Sequence, residues 1–163
     1  MNTLMNPEAA STADFRNAMR RVASTVHIVT ATDGSYRHGM TMTAVSSLSM
    51  DPPSMIVCIN KSTLLHEIML AARRFCINSL CQSQEPISAA FSGKISPEER
   101  FGIGQWGKDN DGLDYLVDAQ SNLFCRKVAA VPFGTHTIFI GVVEQTMLND
   151  DVKPLIYQNA TYC

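Results

Sequence analysis

Strand-forming runs in this chain follow one another through turn signals, and few are separated by a helix long enough to cross a sheet. Residues 26–32 (VHIVTAT) form a β-branched run that ends at Asp33-Gly34, a dipeptide that favours a tight hairpin turn. A return strand begins near Arg37 and runs from Gly39 to Ser49, where Asp51-Pro52-Pro53 stops it. Residues 54–60 (SMIVCIN) are almost continuously apolar, as in a strand buried on both faces or crossing a barrel. Residues 75–80, 123–128, 136–143 with a continuation to 148, and 154–157 complete the predicted strands. Helical spacing is confined to residues 14–22, 62–72 and 85–91 and to a turn opened by Ser96-Pro97. Residues 102–112 read as loop. This order argues against a doubly wound parallel sheet. It predicts a mainly β fold, an antiparallel barrel closed or partly closed, with helices at its ends.

The 163 residues are enough for one domain, able to bury about two-thirds of its unfolded surface without disulfide or metal staples. Hydrophobic residues make up 45% and charged residues 17%, so part of the surface is expected to be covered by a partner subunit. The net charge is −2 and there is no basic run, which removes the electrostatic footprint of a nucleic-acid binder. No apolar run approaches the ~20 residues of a membrane span. Residues 1–14 lack the basic and apolar regions of a secretory signal and read as a mobile arm ahead of a domain at 15–163. The five cysteines form no C-x-x-C, and Cys58, Cys76 and Cys125 sit in apolar runs. Both features suggest free thiols in a reducing cytoplasm.

Few residues carry chemistry on their own. Gly102-Ile103-Gly104-Gln105-Trp106-Gly107 matches G-x-G-x-x-G, but a short helix precedes it and no βαβ unit surrounds it. It is a glycine-rich loop rather than a dinucleotide fingerprint. No two of the four histidines have metal-ligand spacing, and no metal site is expected. His27 reads as a structural or surface residue, His38 as solvated near a hairpin tip and His66 as a surface residue. His136 opens a strong strand after Gly134-Thr135, at the expected barrel rim, where a structural and a functional role both remain open. The 39–49 strand carries Thr41, Thr43, Ser46, Ser47 and Ser49 on both sides of its alternation. It is either a solvated edge or a place for a flat ligand to lie against the backbone.

Several motifs together resemble the short-chain flavin reductases. Phe15-Arg16-Asn17-Ala18-Met19 is similar to that family's opening. The 39–49 strand with Asp51-Pro52-Pro53 resembles its signature, and Cys58-Ile59-Asn60-Lys61-Ser62, Phe75-Cys76-Ile77-Asn78-Ser79-Leu80, Phe91, Glu99-Arg100-Phe101, Gly134-Thr135-His136 and Pro154-Leu155-Ile156-Tyr157 follow in the family's order. The likeness is greatest to reductase components of two-component aromatic monooxygenases. It implies an FMN-binding split barrel, a homodimer, and NADH-dependent reduction of FAD, or alternatively FMN, for a separate oxygenase. A flavin-binding module or flavin chaperone without turnover is the other reading. The resemblance implies flavin contacts from Met42, Thr43, Ala44, Ser46 and Ser47. It places flavin phosphates near Asn60, Lys61, Ser62 and Thr63, with Ser92, Lys94, Arg100 and Phe101 as further contacts. His136 would touch the nicotinamide or the flavin edge.

Overall fold

A computed structural model of the chain describes residues 10–163. Helix α1 (Thr12–Met19) is followed by β1 (Ser24–Thr25), β2 (His27–Thr32), β3 (Arg37–Met42), β4 (Val45–Met50), β5 (Pro53–Asn60), α2 (Leu64–Ala71) and β6 (Arg74–Ser79). Then come α3 (Glu85–Ala89), α4 (Pro97–Arg100), β7 (Trp106–Lys108), β8 (Asp114–Leu116), β9 (Ser121–Phe133), β10 (His136–Leu148), β11 (Ile156–Gln158) and β12 (Thr161–Tyr162). Residues 1–9 of the expected arm lie outside the described residues. The helix behind it begins at Thr12, capped by the Ser11 hydroxyl, rather than at Asp14.

Seven strands form one sheet in the order β3-β2-β6-β9-β10-β5-β4, and every pair is antiparallel. The two edge strands, β3 and β4, are neighbours in the chain, joined only by Thr43 and Ala44. Laid flat, seven strands at about 4.8 Å spacing would hold those edges about 29 Å apart. Met42 to Val45 spans about 11 Å at most. The sheet therefore rolls until its edges meet at that corner, giving the partly closed antiparallel barrel that the turn-linked strands predict and the split barrel that the resemblance implies.

The predicted single strand from Arg37 to Ser49 is thus two. Its first half pairs with β2 and its second with β5, and the break falls at Thr43-Ala44, where the chain passes from one sheet edge to the other. Residues 102–112 are not all loop, because β7 pairs there with β8. Strand β9 also runs on past Val128 to Phe133, as one arm of a long hairpin with β10.

Alternation along β2 splits the core. Val29 and Ala31 face the barrel interior with Val57, Ile59, Phe75 and Phe139. Val26 and Ile28 face the other way, against Leu80, Phe91 and Leu116. Helix α2 plugs the interior with Leu65, Ile68 and Met69, the i, i+3, i+4 stripe its sequence predicts. Gly39 lets β3 approach the outer layer, since a Cβ there would lie 2.7 Å from Phe91 Cε1.

Two histidines, half-buried His27 and buried His38, are held as neutral rings. His27 Nδ1 lies 3.1 Å from Ser79 Oγ, and burial lowers its pKa to about 4. His38 is 5% exposed, which corrects the solvated reading. Burial first, then the neighbouring Arg100 charge, lowers its pKa to about 4. Both pKa values lie below the unfolded 6.5, so the unfolded chain binds more protons between them and stability rises with pH across that window. Stability is expected to be full above about pH 6.5 and to fall as pH drops toward 4. Melting temperatures from pH 7 to 4 should show this decline, and a His27→Gln/His38→Gln double variant should flatten it.

Candidate functional site

The corner brings separate motifs together. The Cys58 N–H donates to the Ala44 carbonyl at 3.0 Å, which sets the start of β4 against the end of β5. Asn60, at the tip of β5, stands opposite His136 at the tip of β10. The Lys61 N–H donates to the Thr135 carbonyl at 3.0 Å, and Lys61 Nζ donates to the Gly134 carbonyl at 2.9 Å. Asn60 Oδ1 accepts from the Ser62 N–H at 3.0 Å and the Ser62 hydroxyl at 2.9 Å. The Thr63 hydroxyl caps α2 through the His66 N–H. Met42, Thr43, Ala44 and the 60–63 turn thus share one end of the barrel with His136.

The β4 side of this corner is open. Ser46 and Ser47 are exposed, and β4 has a ladder partner only in β5. Its outward row of backbone groups and its hydroxyls are available to a ligand. His136 is exposed as well. Its Nδ1 lies 2.8 Å from Thr135 Oγ1, and Nε2 has no hydrogen-bond partner among the described residues.

Ser92 and Lys94 reach the corner from outside the barrel. They lie in a widened helical turn, Ala90–Lys94, that kinks at Gly93, whose φ of +96° suits glycine. With Thr41, Met42 and Thr43 they line a cavity of about 430 Å³, closed on its far side by Tyr157 and Tyr162. The tail residues were not among the sequence candidates. Their signal is the Asn159-Ala160 turn between two tyrosines that pair across β11 and β12. Both turn residues have positive φ, the geometry of a two-residue hairpin.

Arg100 and Phe101 are placed differently. Arg100 is 9% exposed. Its Nη1 donates to the Gly39 carbonyl at 3.2 Å and lies 3.3 Å from His38 Nε2. Phe101 packs edge-on against Phe91 and Trp106, with the Arg37 guanidinium 4.3 Å from its ring centroid. Both clamp α4 onto β3. His66 is buried as well, against the surface role expected for it. Its Nε2 lies 2.8 Å from Thr137 Oγ1, and this contact locks α2 to the strand that carries His136. Truncating Arg100 should therefore cost stability. Arg100→Ala is expected to lower unfolding free energy by about 1.5–3 kcal/mol, the range for charge-assisted hydrogen bonds, where an exposed charge would change it by ~0.5 or less. Denaturant melts of both proteins measure the difference.

Residues 19–163 match the family model described as flavin reductase like domain. The FADH(2)-dependent resorcinol hydroxylase, reductase component, of Rhizobium sp. (strain MTP-10005) is 49% identical over 92% of this chain and 85% of its own. The FMN reductase (NADH) RutF of Agrobacterium fabrum is 38% identical over 91% of this chain and 86% of its own. Among solved structures, the styrene monooxygenase flavin reductase from Pseudomonas putida S12 superposes with a TM-score of 0.82 at 27% identity, over 92% of this chain and 96% of that one. Among the described residues no helix is long and apolar enough to cross a membrane, and no cluster of His, Cys, Asp or Glu could hold a metal ion.

Proposed function

The chain belongs to the family of flavin reductase-like domains and is an NADH:flavin oxidoreductase, and from that premise we propose how its corner site works and what it feeds. The site takes NADH and FAD, or alternatively FMN. It releases reduced flavin to a separate oxygenase that hydroxylates an aromatic compound. Similarity to a hydroxylase's reductase component supports that last step.

One observation carries the reading: the β3–β4 corner sets an open row of backbone donors beside the 60–63 turn and His136. This donor set fits a flavin. Thr43, Ser46 and Ser47 offer exposed hydroxyls, and Ala44 leaves room for a planar ring. Bound nicotinamide and flavin supply the hydride chemistry between them. Donors from residues 42–47 stabilise the negative charge that collects on a reduced ring edge. The 60–63 turn, Ser92 and Lys94 hold phosphate oxygens, with Lys61 and Lys94 supplying positive charge. Arg100 and Phe101 support this wall from behind, and Arg100 reaches phosphate only by leaving Gly39. His136 orients the nicotinamide through Nε2 and need not move a proton.

Residues 15–163, with the first turn of α1 ahead of them, act as one domain in the cytoplasm, and the five free thiols support that location. The working form is a homodimer. Val128, Val131 and Phe133 lie exposed on the outer half of β9, which β6 does not reach. Phe15 and Met19 lie exposed on α1. A sedimentation experiment at micromolar concentration should show the dimer, and monomer alone would exclude it.

Mixing the protein with NADH and FAD or FMN tests the activity directly. Loss of the nicotinamide absorbance with added flavin is expected. A tightly bound yellow protein that leaves NADH untouched would instead mark a flavin-binding module. His136→Ala should lower kcat/KM for NADH by roughly tenfold to a hundredfold, from one lost hydrogen bond and poorer ring alignment. Flavin affinity should change less. Lys61→Ala should raise the flavin KM more than it lowers kcat, because a phosphate contact is made equally in ground and transition states. A fall in melting temperature with unchanged NADH kinetics would make His136 structural only.

A further inference from the structure

The corner cavity continues into a second one. Thr43, Tyr157 and Ala160 line both, and beyond them a cavity of about 320 Å³ opens between α1 and the β11–β12 hairpin. The hairpin is tied to the helix end. The Asn159 N–H donates to the Arg20 carbonyl at 2.9 Å, and Gln158 Nε2 donates to the Arg21 carbonyl at 3.5 Å. Arg16, Met19 and Arg20 stand at i, i+3 and i+4, so one helix face brings all three to this cavity. The Arg20 N–H donates to the Arg16 carbonyl at 3.1 Å, which carries the helical turn through Arg20.

The lining selects an anion with a flat apolar body. Among the described residues no Asp or Glu lines the cavity. Arg21 spends its guanidinium on the Asn17 carbonyl, whereas those of Arg16 and Arg20 make no ion pair or hydrogen bond among the described residues. Like charges at i, i+4 repel, and an anion seated between them removes that cost. A planar guanidinium pairs with a carboxylate through two parallel hydrogen bonds. Met19 and Val22 are 48% and 49% exposed, and the Tyr157 residue is 36% exposed. These side chains offer surfaces that cover the faces of a ring. The volume lies near the lower end of the range of about 300–1,000 Å³ for small-molecule sites, which suits one ring rather than a nucleotide.

We propose that this cavity binds a single-ring aromatic carboxylate and that its occupancy loosens the flavin at the adjoining corner. The second half rests on the flavin reductase reading for the corner; the first does not. Seated beside Thr43, the carboxylate cancels positive charge that otherwise helps to hold the flavin phosphates and the reduced ring. Reduced flavin is then released most readily when an aromatic acid is present, which couples its supply to the presence of an aromatic compound. The coupling is reciprocal, so flavin weakens the carboxylate by the same factor.

Benzoate, phenol and inorganic phosphate are titrated against flavin-free protein, with ligand NMR line widths reading binding without turnover. Benzoate is expected to bind. Phenol, which is neutral at about pH 7, and phosphate, which lacks the ring, should bind at least about tenfold more weakly. Arg16→Gln/Arg20→Gln should weaken benzoate about tenfold or more, the scale of a lost charge-assisted hydrogen bond. Arg16→Lys/Arg20→Lys keeps the charge without the fork and should weaken it less. Both pairs lie at exposed positions, and their melting temperatures should stay near wild type. Flavin fluorescence at constant ionic strength then gives the FMN affinity. Saturating benzoate should weaken FMN about fivefold on the wild-type protein, the low end of coupling between sites. The Gln variant already lacks the charge and should show no such change. Benzoate that does not bind, or binds wild type and Gln variant equally, would overturn the site, as would phosphate binding as tightly as benzoate. Benzoate that binds without moving the FMN affinity would overturn the coupling alone. A protein that binds benzoate but neither binds flavin nor oxidises NADH would sink the reductase reading and leave the carboxylate site standing.

Discussion

A link of two residues, Thr43 and Ala44, joins the two edges of a seven-stranded sheet, and the rest of the molecule is arranged around that short connection. Because the link is shorter than the sheet is wide, the sheet must roll. Rolling creates an interior, and α2 fills it with Leu65, Ile68 and Met69. It also leaves both edge strands with one unpaired row of backbone groups beside the link. An edge strand is ordinarily a hazard for aggregation. Here the edge is short, hydroxyl-rich and set beside the 60–63 turn, so the unpaired row becomes binding capacity.

The segment that shapes the outer wall of the site is held by buried polar contacts as well as by apolar packing. Asn78 is fully buried. Its amide donates to the Ile28 carbonyl, and its oxygen accepts from the Leu116 N–H and the Asn122 amide, both at 2.8 Å. The Thr30 hydroxyl donates to the Asp114 carbonyl at 2.6 Å. These bonds pin β8 against the sheet, and the Phe91, Phe101 and Trp106 rings then pack the preceding segment over Gly39. Each polar group is costly to bury and strongly directional once satisfied. Together they fix where the 92–101 wall stands relative to β3, and so the shape of the corner cavity.

Part of the site is readable as a sequence pattern because it is local. Asn60-Lys61-Ser62-Thr63 sits where a strand run hands over to a helical stripe, and the structure keeps that turn intact. The hydroxyls of Ser46 and Ser47 violate the ordinary alternation of a half-buried strand, and they do face solvent. His38 and His66 are buried against expectation for a common reason, which also turns Arg100 inward. A single polar residue near a hairpin or helix end carries no periodic signal of which way it points. Its burial depends on a partner distant in sequence, such as Gly39 for Arg100 or Thr137 for His66. The sequence predicts a strand at 154–157, but not the part of Tyr157 and Tyr162 in the corner cavity, because β11 and β12 are too short to show alternation.

The sequence alone determined the strand-rich class, the hairpin at Asp33-Gly34, the helical plug and the 60–63 turn, since period and turn chemistry are properties of neighbouring residues. Tertiary structure decided that the hydroxyl-rich strand is broken at Thr43-Ala44, that Arg100 turns inward onto β3, and that His136 stands opposite Asn60. Those outcomes depend on which strands pair and how far the sheet must roll to join its edges. Pairing and rolling are set by contacts between residues far apart in the chain, which no local pattern encodes.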